Sequence, residues 1–187
     1  SLAGLAGWIK LPKLMPVTAK GLEGIIANSN SLSDVLGQEG VLVYAGYNIN
    51  ELAGKATFEE VVYLLWNGEL PNREQLDEFK KSLGSQRELP KGVMDFLQSA
   101  PKKANPMDVM RTAVSMLGLY DDARDVEGEA EAANKRRALS ITAKIGVIAA
   151  YFHRSRQGLE LPAVRKDLGE AAHFLYLLNG EEPSEEA

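Results

Sequence analysis

The residues best suited to chemistry in this chain are few. His153 and His173 are its only imidazoles, and cysteine is absent. Without cysteine there is no thiol nucleophile, no disulfide and no thiolate for a metal. The two histidines fall on different expected helices, and neither has a ligand partner at i+3 or i+4, so no metal pair is expected. His153 stands beside Arg154 and Arg156, where a cation interacts well with a helix C-terminus; His173, in an apolar run, faces either the core or a neighbour. Both are read as structural. The run Gly54-Lys55-Ala56-Thr57 has the flavour of a phosphate loop, but the first glycine such a loop requires falls at Ile49, so a turn and helix cap is the better reading. The carboxylate groups Glu59-Glu60, Asp121-Asp122 and Glu127-Glu129-Glu131 read as solvated faces. A general acid needs a buried carboxyl and a positioned partner, and the sequence points to neither. No catalytic, cofactor-binding or metal-ligating residue is assigned.

These groups sit in an ordinary globular background. The chain has 187 residues, 45% of them apolar and 25% charged, and a net charge of −5. That balance supports a sizeable core and argues against a broad nucleic-acid surface. Basic residues lie singly or in short groups such as Lys135-Arg136-Arg137, and Trp8, Trp66 and Tyr120 are too scattered to form a stacking platform. The N-terminal stretch lacks a positive region ahead of its apolar part, and Lys10, Pro12, Lys13 and Pro16 interrupt it, so it does not read as a targeting signal. No apolar run reaches membrane-spanning length. A cytoplasmic protein without nucleic-acid or membrane partners is expected.

Helices must position whatever the chain does. Residues 1–20 read as an irregular arm whose Trp8, Ile9, Leu11, Leu14 and Met15 pack on this subunit or on a partner. Val41-Leu42-Val43-Tyr44, after the turn-forming Gly37-Gln38-Glu39-Gly40, supports one short β-ribbon near residues 38–49. Thr57 and Glu60 form a capping-box pattern ahead of the apolar face Phe58, Val61, Val62, Leu64 and Leu65; Gly68 and Pro71 stop that helix. Asn72 and Gln75 repeat the pattern for a helix closed by Gly84. A short helix follows Pro90, and Asn105-Pro106-Met107-Asp108 opens another that runs to Gly118. An acidic loop over Asp121 to Ala130 leads into the longest helix, from about Ala132 to Gln157, with Leu139, Ile141, Ile145, Ile148 and Phe152 on its apolar side. Asp167 is expected to cap a last helix stopped by Asn179-Gly180. The class is all-α with one β-ribbon, and residues 21–187 form one domain without a dividing linker.

An ordered set of phrases resembles the bacterial type of citrate synthase. It begins at Lys20-Gly21-Leu22-Glu23-Gly24-Ile25 and continues through the ribbon from Gly40 to Ile49 and Glu51-Leu52-Ala53. Phe58-Glu59-Glu60-Val61, Gly68-Glu69-Leu70-Pro71, Pro106-Met107-Asp108 with Arg111-Thr112-Ala113-Val114-Ser115, and the block from Asp167 to Pro183 follow in order. Three positions depart from the family pattern: Ala45 replaces an arginine, Asn105 a histidine and His173 an asparagine.

The resemblance implies part of a multi-helical citrate synthase large domain, its N-terminal half, without the small domain. It implies an acyltransferase of the tricarboxylic acid cycle that condenses acetyl-CoA, as co-substrate, with oxaloacetate and water, giving citrate and CoA. The family works as a homodimer, uses no metal and holds no covalently bound cofactor. Its catalytic His-Gly-Gly-Ala-Asn and Gly-His-Arg phrases are not in this sequence, and His153 and His173 match none of its catalytic positions. The segment alone is therefore expected to be inactive and to need a homodimer partner or a complementary C-terminal half. Two alternatives stand beside this reading: part of a 2-methylcitrate synthase, which uses propionyl-CoA, and a non-catalytic helical module that binds or regulates a partner.

Overall fold

The computed structural model describes residues 32–121 and 130–184. The arm at 1–20, the Lys20–Ile25 phrase and most of the acidic loop lie outside the described residues.

The ribbon is larger than the sequence predicts. Strands β1 (Ser33–Leu36), β2 (Val41–Tyr44) and β3 (Tyr47–Asn48) pair antiparallel in that order. Leu36 lies opposite Val41 and Tyr44 opposite Tyr47, so the two turns set the register. The β2–β3 turn places Ala45 at φ 45° and Gly46 at φ 90°. Positive φ at both central positions gives the twist that a two-residue hairpin needs, and Ala45 is the only described non-glycine residue to adopt it. The added strand β1 has no β-rich signal of its own, being Ser-Asp-Val-Leu and exposed along its length.

Local caps then punctuate the helices. Asn48 caps the single turn α1 (Ile49–Leu52). In α2 (Phe58–Asn67) the Thr57 amide donates to Glu60 Oε2 at 2.7 Å and the Glu60 amide to Thr57 Oγ1 at 3.3 Å, a complete capping box. The left-handed Gly68 ends that helix. Asn72 and Gln75 reciprocate in the same way at the start of α3 (Arg73–Ser85). Gly84 lies inside α3 rather than closing it; a Cβ there would stand 2.5 Å from the Lys166 carbonyl oxygen, so the glycine serves a close backbone approach. Helices α4 (Lys91–Ser99), α5 (Pro106–Leu117), α6 (Ala130–Gln157) and α7 (Glu170–Asn179) complete the described fold, with a 3-10 turn at Gly118–Tyr120.

The core gathers on α6. Val93 and Leu97 of α4, Val109, Ala113 and Leu117 of α5, and Leu177 of α7 are buried against Val147, Ile148, Tyr151 and Phe152. Each fully buried aliphatic side chain contributes about 1.5–3 kcal/mol, so this cluster carries most of the packing stabilisation. Of the apolar side predicted for α6, Ile148 and Phe152 are buried, but Ile141 and Ile145 remain 38% exposed. The segregation of apolar and polar residues around α6 is weak, so periodicity alone does not single out the inward face.

Candidate functional site

The densest polar chemistry in the described residues is a buried cluster that joins α2, the end of α3 and α7. Arg87 follows the last turn of α3 and is 1% exposed. Its Nε and Nη2 donate to Glu170 Oε1 at 3.1 and 2.8 Å, while Nη1 donates to the carbonyls of Arg165 at 2.5 Å and Leu168 at 2.9 Å. The planar guanidinium fork thus clasps the first residue of α7 and the segment that leads into it. Burial raises the Glu170 carboxyl above its ordinary range, against the opposing pull of Arg87.

Glu59 supplies the cap of α7. Asp167 is not that cap; its carboxylate instead accepts two bonds from the Arg165 guanidinium, at 2.8 and 2.6 Å, which hold it at about 2. The residue before α7 is Gly169, which has no side chain to offer, and the Glu170 amide donates to Glu59 Oε1 at 2.8 Å. A carboxylate at a helix N-terminus satisfies an orphan amide and meets the positive end of the helix dipole. A Cβ on Gly169 would lie 3.1 Å from the same oxygen, so a bare backbone lets the carboxylate in. The solvated-face reading therefore holds for Glu60 and fails for Glu59, which is 4% exposed. Only a partner far along the chain decides between the two. Asp121 pairs with Arg137 and Glu131 with Lys135, while Asp122, Glu127 and Glu129 lie outside the described residues.

His173 stands one turn into α7 on the face of Glu170. It is 1% exposed, and its Nε2 has no hydrogen-bond partner among the described residues. Burial, then the Arg87 and Arg165 cations, hold it down at about 4, with Asp167 opposing. His153 is exposed, its Nε2 3.1 Å from Gln157 Nε2, so the structure does not bring the two imidazoles together. At the would-be phosphate loop Gly54 has φ 73° and both the amide and the hydroxyl of Thr57 engage Glu60, so the Glu60 carboxylate already occupies the cap of α2. Among the described residues no group of three His, Cys, Asp or Glu side chains could hold a metal ion. Two surface hollows, of about 460 Å³ along α3 and about 340 Å³ along α5, are each lined by one short stretch of chain.

Sequence reasoning missed Arg87, Arg154 and Lys144. Arg154 is buried and donates to the carbonyls of Glu160 at 2.6 Å and Leu178 at 3.0 Å, tying the last turn of α7 to α6. The one available signal was Glu170-x-x-His173, a spacing that puts both side chains on one helix face. Chemically the cluster is a clasp: Glu170 is paired, the Arg87 guanidinium makes four hydrogen bonds, and it opens onto no cavity among those described.

Comparison with known proteins gives this scaffold its family. The family model described as "Citrate synthase, C-terminal domain" matches residues 21–187. The chain belongs to the citrate synthase family. Citrate synthase 2 of Bacillus subtilis is 41% identical over 166 residues, covering 88% of this chain and 44% of the relative. A 2-methylcitrate synthase of Mycobacterium tuberculosis is 36% identical over 168 residues, covering 90% of this chain and 42% of the relative. The crystal structure of citrate synthase from Pyrobaculum aerophilum superposes with a TM-score of 0.81 at 36% identity, over 88% of this chain and 43% of that one. The chain thus spans less than half the length of the citrate synthase relatives it matches. The mostly helical class with a small β-ribbon is that of the citrate synthase fold. No helix among the described residues is long and apolar enough to cross a membrane.

Proposed function

We propose that this chain is the scaffold portion of a citrate synthase, an acyltransferase that condenses acetyl-CoA with oxaloacetate and water to citrate and CoA. The observation that carries this reading is the match to the Pyrobaculum citrate synthase at a TM-score of 0.81 over 88% of the chain. The geometry supports a scaffold role, because the buried polar groups described above are spent on holding helices together. Catalysis then belongs to sequence beyond these 187 residues. The enzyme would be cytoplasmic, serve the tricarboxylic acid cycle and need no metal. A thiol-release assay with acetyl-CoA and oxaloacetate tests this: the purified chain should give no turnover above the blank, and normal turnover would overturn the proposal.

The Mycobacterium relative favours a second substrate reading, propionyl-CoA in place of acetyl-CoA. Comparing the two acyl-CoAs on an enzyme completed with the remaining family sequence separates them. We further propose that the unit pairs as a homodimer through the open side of α6, where Ile141 and Ile145 stand a turn apart and exposed.

A further inference from the structure

We propose that Glu59, Arg87, Glu170 and His173 form an acid-released latch, which keeps α7 seated at neutral pH and lets it open when His173 is protonated. The inference is independent of the enzymatic reading. It rests on what surrounds the imidazole. His173 is 1% exposed and its Nε2 finds no hydrogen-bond partner among the described residues, so a proton added there has no acceptor waiting.

The charged and titratable neighbours come from every element packed on α7. Glu59 of α2 is committed to the Glu170 amide. Arg87, after α3, is a full cation whose donors already engage Glu170 and two carbonyls. In the segment before α7, Arg165 and Asp167 satisfy each other, and Arg165 also reaches Glu182. From α6, Tyr151 donates to the Pro162 carbonyl and Arg154 sits at the other end of α7. On α7 itself Glu170 is paired and the Tyr176 ring lies 6.5 Å from the imidazole. Each nearby carboxylate is thus already engaged, and an imidazolium would be a buried cation without a partner of its own, near the already paired Arg87 and Arg165.

The sign follows from linkage. The folded-state value for His173, about 4, lies below the ordinary 6.5, so the opened state binds the proton more tightly. Seating of α7 is undiminished above about pH 6.5 and weakens as pH falls toward 4. Glu170 pulls the other way, because burial raises its carboxyl and protonation there favours the seated state. A loss of seating between about pH 6.5 and 5 therefore reports the histidine, because Asp167, held at about 2, gives up its charge only at lower pH.

The test is amide hydrogen exchange on the 187-residue chain at pH 7.5 and 5.0, corrected for intrinsic rates, with His173→Phe and His173→Asn alongside. Wild-type α7 amides should open roughly 30-fold more at pH 5.0, while α4 is unchanged and both variants lose the dependence. Equal α7 protection at the two pH values, or the same dependence in a folded variant, overturns the latch. Should neither variant fold, NMR titration of the wild-type imidazoles decides. His173 titrating well below the ordinary 6.5, together with α7 opening, supports the latch, whereas His173 titrating near 6.5, or α7 staying protected, overturns it.

Discussion

Arg87 and Lys144 are both buried cations, 1% and 7% exposed, yet they sit in opposite circumstances. Arg87 is matched by one carboxylate and two carbonyls, so its loss strands Glu170 as a buried charge and orphans two acceptors. Among the described residues Lys144 has one partner, the Ser140 hydroxyl at 2.7 Å, and burial lowers its pKa. Removing one member of a buried ion pair costs about 3–5 kcal/mol, whereas replacing a poorly matched buried charge by an apolar group of similar shape is close to neutral or stabilising. Arg87→Met should therefore destabilise the chain by about 3–5 kcal/mol in urea unfolding, and Lys144→Met by less than about 1 kcal/mol. Equal losses from the two would refute the distinction.

At the level of elements, the ribbon carries a local strain that a substitution can relieve. Ala45 occupies the left-handed region, which costs an L-residue with a Cβ about 1–2 kcal/mol, partly offset by its smaller unfolded-state entropy. Ala45→Gly should raise stability by about 1 kcal/mol, read as a higher urea midpoint at unchanged slope. A lower midpoint would show that the turn is not under strain. The same contrast between local and distant causes explains what the sequence reveals. Thr57 with Glu60, Asn72 with Gln75 and Asn105 with Pro106 interact within a turn, and all three helix starts were legible. Gly84 reads as a helix stop because its actual reason, the Lys166 carbonyl, is remote in sequence. Proximity points to Asp167 as the cap of α7, while the group that performs it is Glu59, 111 positions from the Glu170 amide. Neither periodicity nor capping rules reach that far, so the candidate cluster stayed hidden while most of the helix starts did not.

For the molecule as a whole, the proposed association turns on α6. One side of it carries the core with α4, α5 and α7, and the other leaves Ile141 and Ile145 open. Light scattering at micromolar concentration should give a mass above the 20.4 kDa of one chain, and Ile141→Glu with Ile145→Glu should return it to that value. A wild-type mass of 20.4 kDa would remove the homodimer reading.

The bond from Glu59 to α7 also has a history in time. A ribosome adding roughly 5–20 residues per second takes roughly 6–22 s to make the 111 residues that separate the carboxylate from its amide. Through that interval α2 carries an exposed, fully hydrated acid, harmless to solubility. Its burial is deferred until α7 has been made, which separates the folding of α2 from its docking on α7 in time.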